Sequence, residues 1–421
     1  FRSGAATSQA ASSPAPRTHV GPKRSRDTSS ADTAKTQRPT LRGRKAARQA
    51  ANDDPPATQP AKPSRKVTIK TAAVDPAPAP AVQPPAPEST GQDRTAGVLN
   101  VTTALGVGEP TAMATAAPAR TVVASGLNEP VDFSFLPDGR IVVAEKGGKI
   151  RIIEDGAVVR RPLTRLRVLT QGERGINGIT VDPDFASNGY LYVAYTTRTA
   201  RDRLARLTVV GNRVAFGSRK TLLQTTDKSG FYHRGGALGF GPDGKLYWGV
   251  GDNRDGANAQ DLTTIHGKII RLNPDGTVPA DNPDLGPGAL PEIFAYGLRN
   301  PFRLTFTPTG RLLVADVGEN SFEELNLVTA GGNYGWPNAE GDCAGCSSVN
   351  PIYAYAHNGN GAAITSVLVY TGGVLGPEYQ DKVFIADEVQ GWIKVLTCGA
   401  DFSSCGDAQD FDPQAGTSVV L

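Results

Sequence analysis

The stretch "FYHRGGALGFGPDGKLYWGVGDN", residues 231–253, sets an imidazole, His233, ahead of a strand-like run that ends in a carboxylate, Asp252. A carboxylate that orients an imidazole and stabilises its charged form makes a competent general base near neutral pH. The competing reading is a buried histidine whose ring only ties down a neighbouring loop. Context favours chemistry: "RGGALGF" follows at once, and its small residues let a ligand or another backbone approach closely. Farther along, "YGLRNPF" offers Arg299 and Asn300. A guanidinium fork there suits carboxylates and carbonyl oxygens, or else it braces loop carbonyls.

What must position these groups is an all-β domain. From about Thr121 the chain consists of short apolar, β-branched and aromatic runs punctuated by Gly, Pro, Asp and Asn. One unit recurs: "FLPDGRIVVAEKGGKIRII", "FASNGYLYVAYTT", "FGPDGKLYWGVGD", "FTPTGRLLVADVGEN" and "EYQDKVFIADEVQGWIKVL". Their turn residues, Gly139, Gly189, Gly244, Gly310 and Asp381, are separated by 50, 55, 66 and 71 residues. A polar turn feeding an alternating strand at that period is the pattern of a β-propeller blade. Closure removes exposed sheet edges, so the expectation is a six-bladed β-propeller over 121–421 whose last blade is shared between its ends and is incomplete at Leu421.

Residues 1–120 contrast with this domain. They are rich in Ala, Pro, Ser and Thr with almost no aromatic residue, the composition of a disordered linker. They carry 17 Lys and Arg against 8 Asp and Glu, while residues 121–421 carry 27 against 33. The overall charge of +3 therefore conceals a basic tail and a mildly acidic body. The runs "PKRSR" and "LRGRKAAR" are broken by Pro and Ser and lack aromatic stacking partners, so they read as solvated linker rather than as a nucleic-acid site. No apolar run is long enough to span a bilayer. The chain starts at Phe1 and holds a single Met, Met113, so the lack of a visible signal peptide does not argue against secretion.

Six motifs in order carry a resemblance: "GERGINGITVDPDF", "YHRGGALGFGPDGKLYWGVGDN", "HGKIIRLNPDGTVP", "YGLRNPFRLTF", "LLVADVGENSFEELNLVTAGGNYGWP" and "VYTGGVLGPEYQDKVFIAD". Together they resemble the glucose/sorbosone dehydrogenase family over residues 121–417. The resemblance implies six blades and an enzyme that oxidises the anomeric C–OH of an aldose or related sugar by hydride transfer to pyrroloquinoline quinone (PQQ). It implies His233 as the base, Asp252 as its orienting carboxylate, Glu173 facing the sugar, and Arg299 and Asn300 on the cofactor. The carbonyls of Gly318 and Glu319 would hold a cofactor-bridging calcium, and Glu323, Tyr334 and Asp342 a second, structural one. "ENSFEE" also reads as a solvated acidic loop. Thr371 departs from the family, whose sugar dehydrogenases place a cofactor-pairing lysine there. "GGNYGWP" reads as a structural corner covered by Trp336. His357 reads as a loop residue, either a cofactor contact or exposed to water, and His266 as structural.

The implied partners are a small-molecule sugar and an external electron acceptor. A rival reading from another class is a non-catalytic extracellular propeller of the hedgehog-interacting type, binding a carbohydrate or protein at the same face. A calcium hydrolase would need several acids converging on one ion, and the ordered motif set argues against it. The cysteines form two close pairs, "CAGC" (Cys343, Cys346) and "CGADFSSC" (Cys398, Cys405), which suit local disulfides in a secreted or periplasmic protein. Redox or zinc roles for "CAGC" lack the helical context or the second pair those sites require. Asn100 in "NVT" is a glycosylation acceptor if the protein is eukaryotic and secreted.

Overall fold

In the computed structural model, which describes residues 122–411, the recurring units become five antiparallel sheets. The linker expected over 1–120, with its basic runs and Asn100, lies outside the described residues. Each sheet opens with an inner strand: Pro130–Phe135, Ile176–Val181, Leu238–Phe240, Pro301–Phe306 and Ile364–Val369. These five pack side by side in chain order. The fold is an all-β propeller of five described blades; the sixth blade expected from the chain ends lies outside the described residues.

In the first four blades a short turn joins the inner strand to the second, and in the fifth a longer loop that contains the 3-10 turn Pro377–Tyr379 does so. In three blades a glycine completes the turn with φ of 87° (Gly139), 68° (Gly244) and 82° (Gly310), a region in which a side chain is strained. Gly139 and Gly310 donate their amides back to Leu136 and Thr307 at 3.0 and 2.8 Å. In the second blade the single-turn helix Phe185–Asn188 takes this place, ended by Gly189 at φ 64°.

Second strands such as Leu246–Val250 and Leu312–Asp316 are buried along their whole length because both faces meet a neighbouring sheet; Val383–Asp387 is buried too, with Phe384 and Ala386 covered by Ile393, Tyr379 and Phe411. The period of two divides their side chains. Leu191, Val193 and Tyr195 pack toward the first blade, whereas Tyr192 and Ala194 pack toward the third. Likewise Leu312 and Val314 join the core shared with the third blade, and Leu313 and Ala315 the core shared with the fifth. A one-residue slip would exchange these cores, so register is strongly specified.

The first blade shows what an unmatched flank looks like. Asp132 faces the second blade and accepts the Ile179 amide at 2.8 Å, so Phe133 points away and stays 46% exposed. Both expected disulfides form, Cys343–Cys346 and Cys398–Cys405. Among the described residues no helix is long and apolar enough to cross a membrane.

One polar tie joins non-adjacent blades. Arg303, in the fourth inner strand, donates to the Val131 carbonyl and stands 3.6 Å from Asp132 in the first. Burial raises the Asp132 carboxyl above its ordinary range, and the Arg303 charge opposes that shift. Removing the cation leaves a buried carboxylate uncompensated, so Arg303→Ala is expected to cost about 3 kcal/mol in urea unfolding. A loss under about 0.5 kcal/mol, the size of an ordinary surface change, would show that the tie carries no stability.

Candidate active site

His233, Asp252, Glu173, Arg299 and Asn300 come together at one end of the strands, where inner strands begin and second strands finish. His233 Nδ1 lies 2.7 Å from Asp252 Oδ1, and Arg299 Nη2 lies 3.0 Å from His233 Nε2. A guanidinium only donates. Nε2 must therefore accept, which puts the ring proton on Nδ1, donated to Asp252. The imidazole is neutral, with its basic lone pair turned toward Arg299.

Asp252 is 1% exposed and fully committed. Its Oδ1 also accepts the Arg254 amide at 2.7 Å, its Oδ2 accepts Trp336 Nε1–H at 2.9 Å, and its own amide donates to the Arg299 carbonyl at 2.8 Å. Trp336, read from sequence as a corner cover, thus helps fix the carboxylate. Backbone strain gathers here: His233, Asn253 and Arg254 have φ of 56°, 65° and 62°. Left-handed non-glycine residues are costly and cluster at working sites. A side chain on Gly251 would start 2.2 Å from the His233 carbonyl, so the small residue there is obligatory.

Arg299 and Asn300 are positioned through their backbone. Asp316 accepts the Arg299 amide at 2.9 Å on one oxygen and the Asn300 amide at 2.6 Å on the other. Burial and the facing Glu324 carboxylate push the Asp316 carboxyl well above its ordinary range, against the pull of the two amides. From this anchor the Asn300 side chain accepts the Gly235 amide at 2.7 Å and approaches Glu173 Oε2 at 3.5 Å. Glu173 also accepts the Arg234 amide at 3.0 Å. Beneath it Arg234 is locked to Asp202 at 2.6 Å, both buried.

Asp316, Trp336 and the Arg234–Asp202 pair are absent from the sequence-based site. For Asp316 a signal existed in the repeat. Glu145, Asp316 and Asp387 end second strands, and each accepts the amide of residues that open its own blade, Asn128 at 3.0 Å and Ala363 at 2.9 Å in the other two cases. In the third blade Val250 ends the second strand, and Asp252, two residues farther on, binds an imidazole.

Arg299 Nε is buried and has no partner among the described residues, although Nη1 donates to the Val317 carbonyl at 3.0 Å. An orphaned cationic donor beside the neutral His233 fits an anionic, carbonyl-bearing cofactor. The carbonyls of Gly318 and Glu319 receive no hydrogen bond among the described residues. The amides of Glu319, Asn320, Ser321 and Phe322 all converge on Glu340 Oε1, at 2.6 to 3.3 Å. Burial raises the Glu340 carboxyl, but these amides outweigh it and hold it below its ordinary range. Free carbonyls in an irregular loop suit a hard cation.

The other expected ligands do not converge. Glu323 is buried and taken by His357 Nε2 at 2.7 Å and the Ile364 amide at 2.8 Å, so His357 is buried rather than exposed to water. Tyr334 Oη donates to the Leu327 carbonyl at 2.7 Å, four strand positions from Glu323, or about 13 Å along a strand. Asp342 is exposed beside Cys343. Among the described residues no three His, Cys, Asp or Glu side chains form a metal-binding group. Thr371 follows the fifth inner strand beside the turn where the Asp381 amide meets the Tyr370 carbonyl at 2.8 Å. Six strand residues, about 20 Å, separate that turn from the end that holds Arg299. His266 is structural, between Asp227 at 2.9 Å and the Gly251 carbonyl.

Behind Asp252, Lys268 is buried and donates to the carbonyls of Asn258, Ala259 and His266 at 2.7, 3.0 and 2.7 Å. Asn258 in turn donates to the Asp252 carbonyl at 2.9 Å. Burial lowers the Lys268 pKa from 10.5 to about 7. Between those values the unfolded chain binds a proton that the native chain has released, so stability rises with pH, by up to about 1.4 kcal/mol per unit. Lys268→Met removes that slope. In urea unfolding across this window, wild type is expected to gain on the variant as pH rises; parallel curves would contradict the assignment.

Comparison with known proteins agrees with this geometry. The sequence model described as Glucose / Sorbosone dehydrogenase matches residues 127–398. Quinoprotein glucose dehydrogenase B of Acinetobacter calcoaceticus is 33% identical over 271 residues, 56% of this chain and 55% of that protein. The chain thus spans about half the length of that relative. The human hedgehog-interacting protein is 30% identical over 214 residues, 43% of this chain and 30% of its own. The PQQ-bound structure of an aldose sugar dehydrogenase from Streptomyces coelicolor superposes with a TM-score of 0.60 at 28% identity, covering 70% of this chain and 86% of that one. With the family match spanning well over half of the residues and the motifs gathered at one end of a propeller, the chain belongs to the Glucose / Sorbosone dehydrogenase family.

Proposed function

We propose that the protein is a quinoprotein oxidoreductase that oxidises the anomeric C–OH of an aldose or related sugar. The single observation that carries this reading is the chain Asp252–His233–Arg299, a neutral imidazole held between a buried carboxylate and a cation. PQQ, when bound, supplies the two-electron acceptor for the hydride on C1. Calcium on the Gly318 and Glu319 carbonyls would supply positive charge beside it.

The remaining chemistry belongs to the protein. His233 Nε2 takes the proton of the anomeric hydroxyl, and Asp252 stabilises the imidazolium that results. Arg299 and a substrate hydroxyl compete for the same nitrogen, so the base becomes available when the guanidinium turns to an anionic group. That coupling would keep an unloaded site from acting as a base. Asn300 shares the clamp through its place beside Arg299, and Glu173 faces the sugar. Oxidation of the anomeric alcohol releases a lactone, a proton and a hydride; an external acceptor then removes the two electrons. The two disulfides support a secreted or periplasmic setting. The likeness to the hedgehog-interacting protein supports the rival reading, a propeller that binds a partner without turnover.

A titration of the full-length protein with PQQ and calcium, read by absorbance and by dye reduction on a panel of aldoses, separates the two. The expected outcome is calcium-dependent binding with sugar-driven reduction. His233→Ala should lower kcat by about a thousand-fold with cofactor affinity nearly unchanged, because a general base acts mainly in the transition state. Turnover that survives in this variant removes the base assignment. No binding at tens of micromolar PQQ removes the quinoprotein reading and leaves the partner-binding propeller.

A further inference from the structure

Residues 121–421 carry more acids than bases, yet the bases are not spread evenly. Segments 157–172 and 203–224 hold nine of their 27 Lys and Arg and none of their 33 Asp and Glu. The fold brings the two segments together. The first supplies the outer edge of the first blade, Ala157–Val158 and Thr164–Arg165, and the second supplies the outer edge of the second blade, Arg213–Val214 and Lys220–Gln224. Across this seam the Val214 amide donates to the Leu163 carbonyl at 3.2 Å. Arg160, Arg161, Arg213 and Arg219 are exposed along it and make no ion pair among the described residues. Of the neighbouring acids, Asp138 pairs with Arg140 at 2.6 Å and Glu154 accepts Asn212 Nδ2–H at 3.2 Å, while Asp155 and Asp275 stay exposed at adjoining turns.

Phe216 stands at the tip of the same edge, fully exposed, and Val210, 68% exposed, ends the neighbouring strand. The turn that carries the ring is firmly tied. The Ser218 amide and hydroxyl both donate to the Ala215 carbonyl, at 3.2 and 2.8 Å, the Thr208 amide donates to Ser218 Oγ at 3.1 Å, and the Ala215 amide donates to the Thr208 carbonyl at 2.8 Å. Gly217, at φ 74°, lets the chain reverse directly after the ring. A lone exposed apolar side chain is ordinary on a protein surface. A protruding ring set among unpaired guanidinium groups has a specific complement, an anionic bilayer surface, where cations stay with the headgroups and the ring enters the acyl boundary. A protein partner would have to supply a pocket for the ring, whereas a bilayer accepts it without one.

We propose that this seam is a docking surface for an anionic lipid bilayer, with Phe216 inserted and Arg160, Arg161, Arg213 and Arg219 among the headgroups. Its position leaves the candidate site open. Asp202, which locks Arg234 beneath Glu173, begins the strand that Val210 ends, and a strand of that length, about 26 Å, sets Val210 at the end opposite to His233. The docking is independent of the dehydrogenase reading and holds equally for a propeller without turnover.

The test uses the full-length protein with vesicles of phosphatidylcholine, alone or mixed with phosphatidylglycerol. Residues 1–120 are basic and attract anionic vesicles themselves, so the deciding readout is local. In Phe216→Trp, the emission added over wild type is expected to shift to the blue on mixed vesicles and to be quenched by brominated lipid, with neither change on phosphatidylcholine alone. Adding Arg213→Ser/Arg219→Ser should weaken the apparent affinity read from this signal about ten-fold. No shift and no quenching on mixed vesicles overturns the proposal even where the protein sediments with them, since the basic tail then accounts for the binding. Insertion that is equal on neutral vesicles, or indifferent to the two arginines, removes the anionic bilayer as the partner. An equal blue shift with heparin, a soluble polyanion, assigns the seam to anionic polysaccharide and overturns the proposal as well.

Discussion

A carboxylate at the end of a blade's second strand is the constraint on which this site depends. Strand ends leave amides that the ladder does not satisfy, and an acid at that point can collect them. Asp316 collects two at once, those of Arg299 and Asn300. Both site side chains are then aimed by a backbone that cannot rotate away. The third blade has Val250 at that place, and its acid, Asp252, lies two residues past the strand end, where it gives one oxygen to His233 and the other to Trp336.

The cost of such an arrangement is the burial of charge, and the surrounding groups show how it is managed. Asp202 and Arg234 neutralise one another below Glu173, and Lys268 is surrounded by three carbonyls beneath the Asp252 loop. Asp316 and Glu324 face each other across paired strands, and burial raises both carboxyls, Glu324 to about 7, while the Arg299 charge opposes the shift of Asp316. Buried polar groups of this kind stay tolerable when each is hydrogen-bonded. Arg299 Nε lacks such a partner among the described residues, as do Arg151 Nε, Arg201 Nη1, Ser229 Oγ, Trp248 Nε1 and Asn326 Oδ1.

The residues that the structure brings together around His233 share a signal in the linear chain. His233, Asp252, Arg299 and Asn300 each flank a strand on the side away from the tight turns, and the recurring unit makes that side readable once the turns are located. Thr371 lies at the other end of its strand from Arg299, and a motif match carries no information about which end of a strand a residue occupies. Tyr334 and Glu323 lie near each other in the sequence, but a strand moves about 3.3 Å per residue, so their polar atoms finish far apart. His357 looked like an exposed loop residue because its partner, Glu323, belongs to a different strand and is 34 positions away.

Taken alone, the sequence determined the fold class, the blade period, the two disulfides and the group of residues that could do chemistry. All of these are local, since turn residues, alternation and motif order act over a few positions. Tertiary structure alone decided the tautomer of His233, the anchoring of Arg299 by Asp316, the second partner of Asp252 in Trp336, and the meeting of the basic segments 157–172 and 203–224 along one seam. Each of those depends on groups brought together from different blades or loops. Hydrogen bonds are directional and extend about 3 Å, so they are settled only when packing has placed both partners.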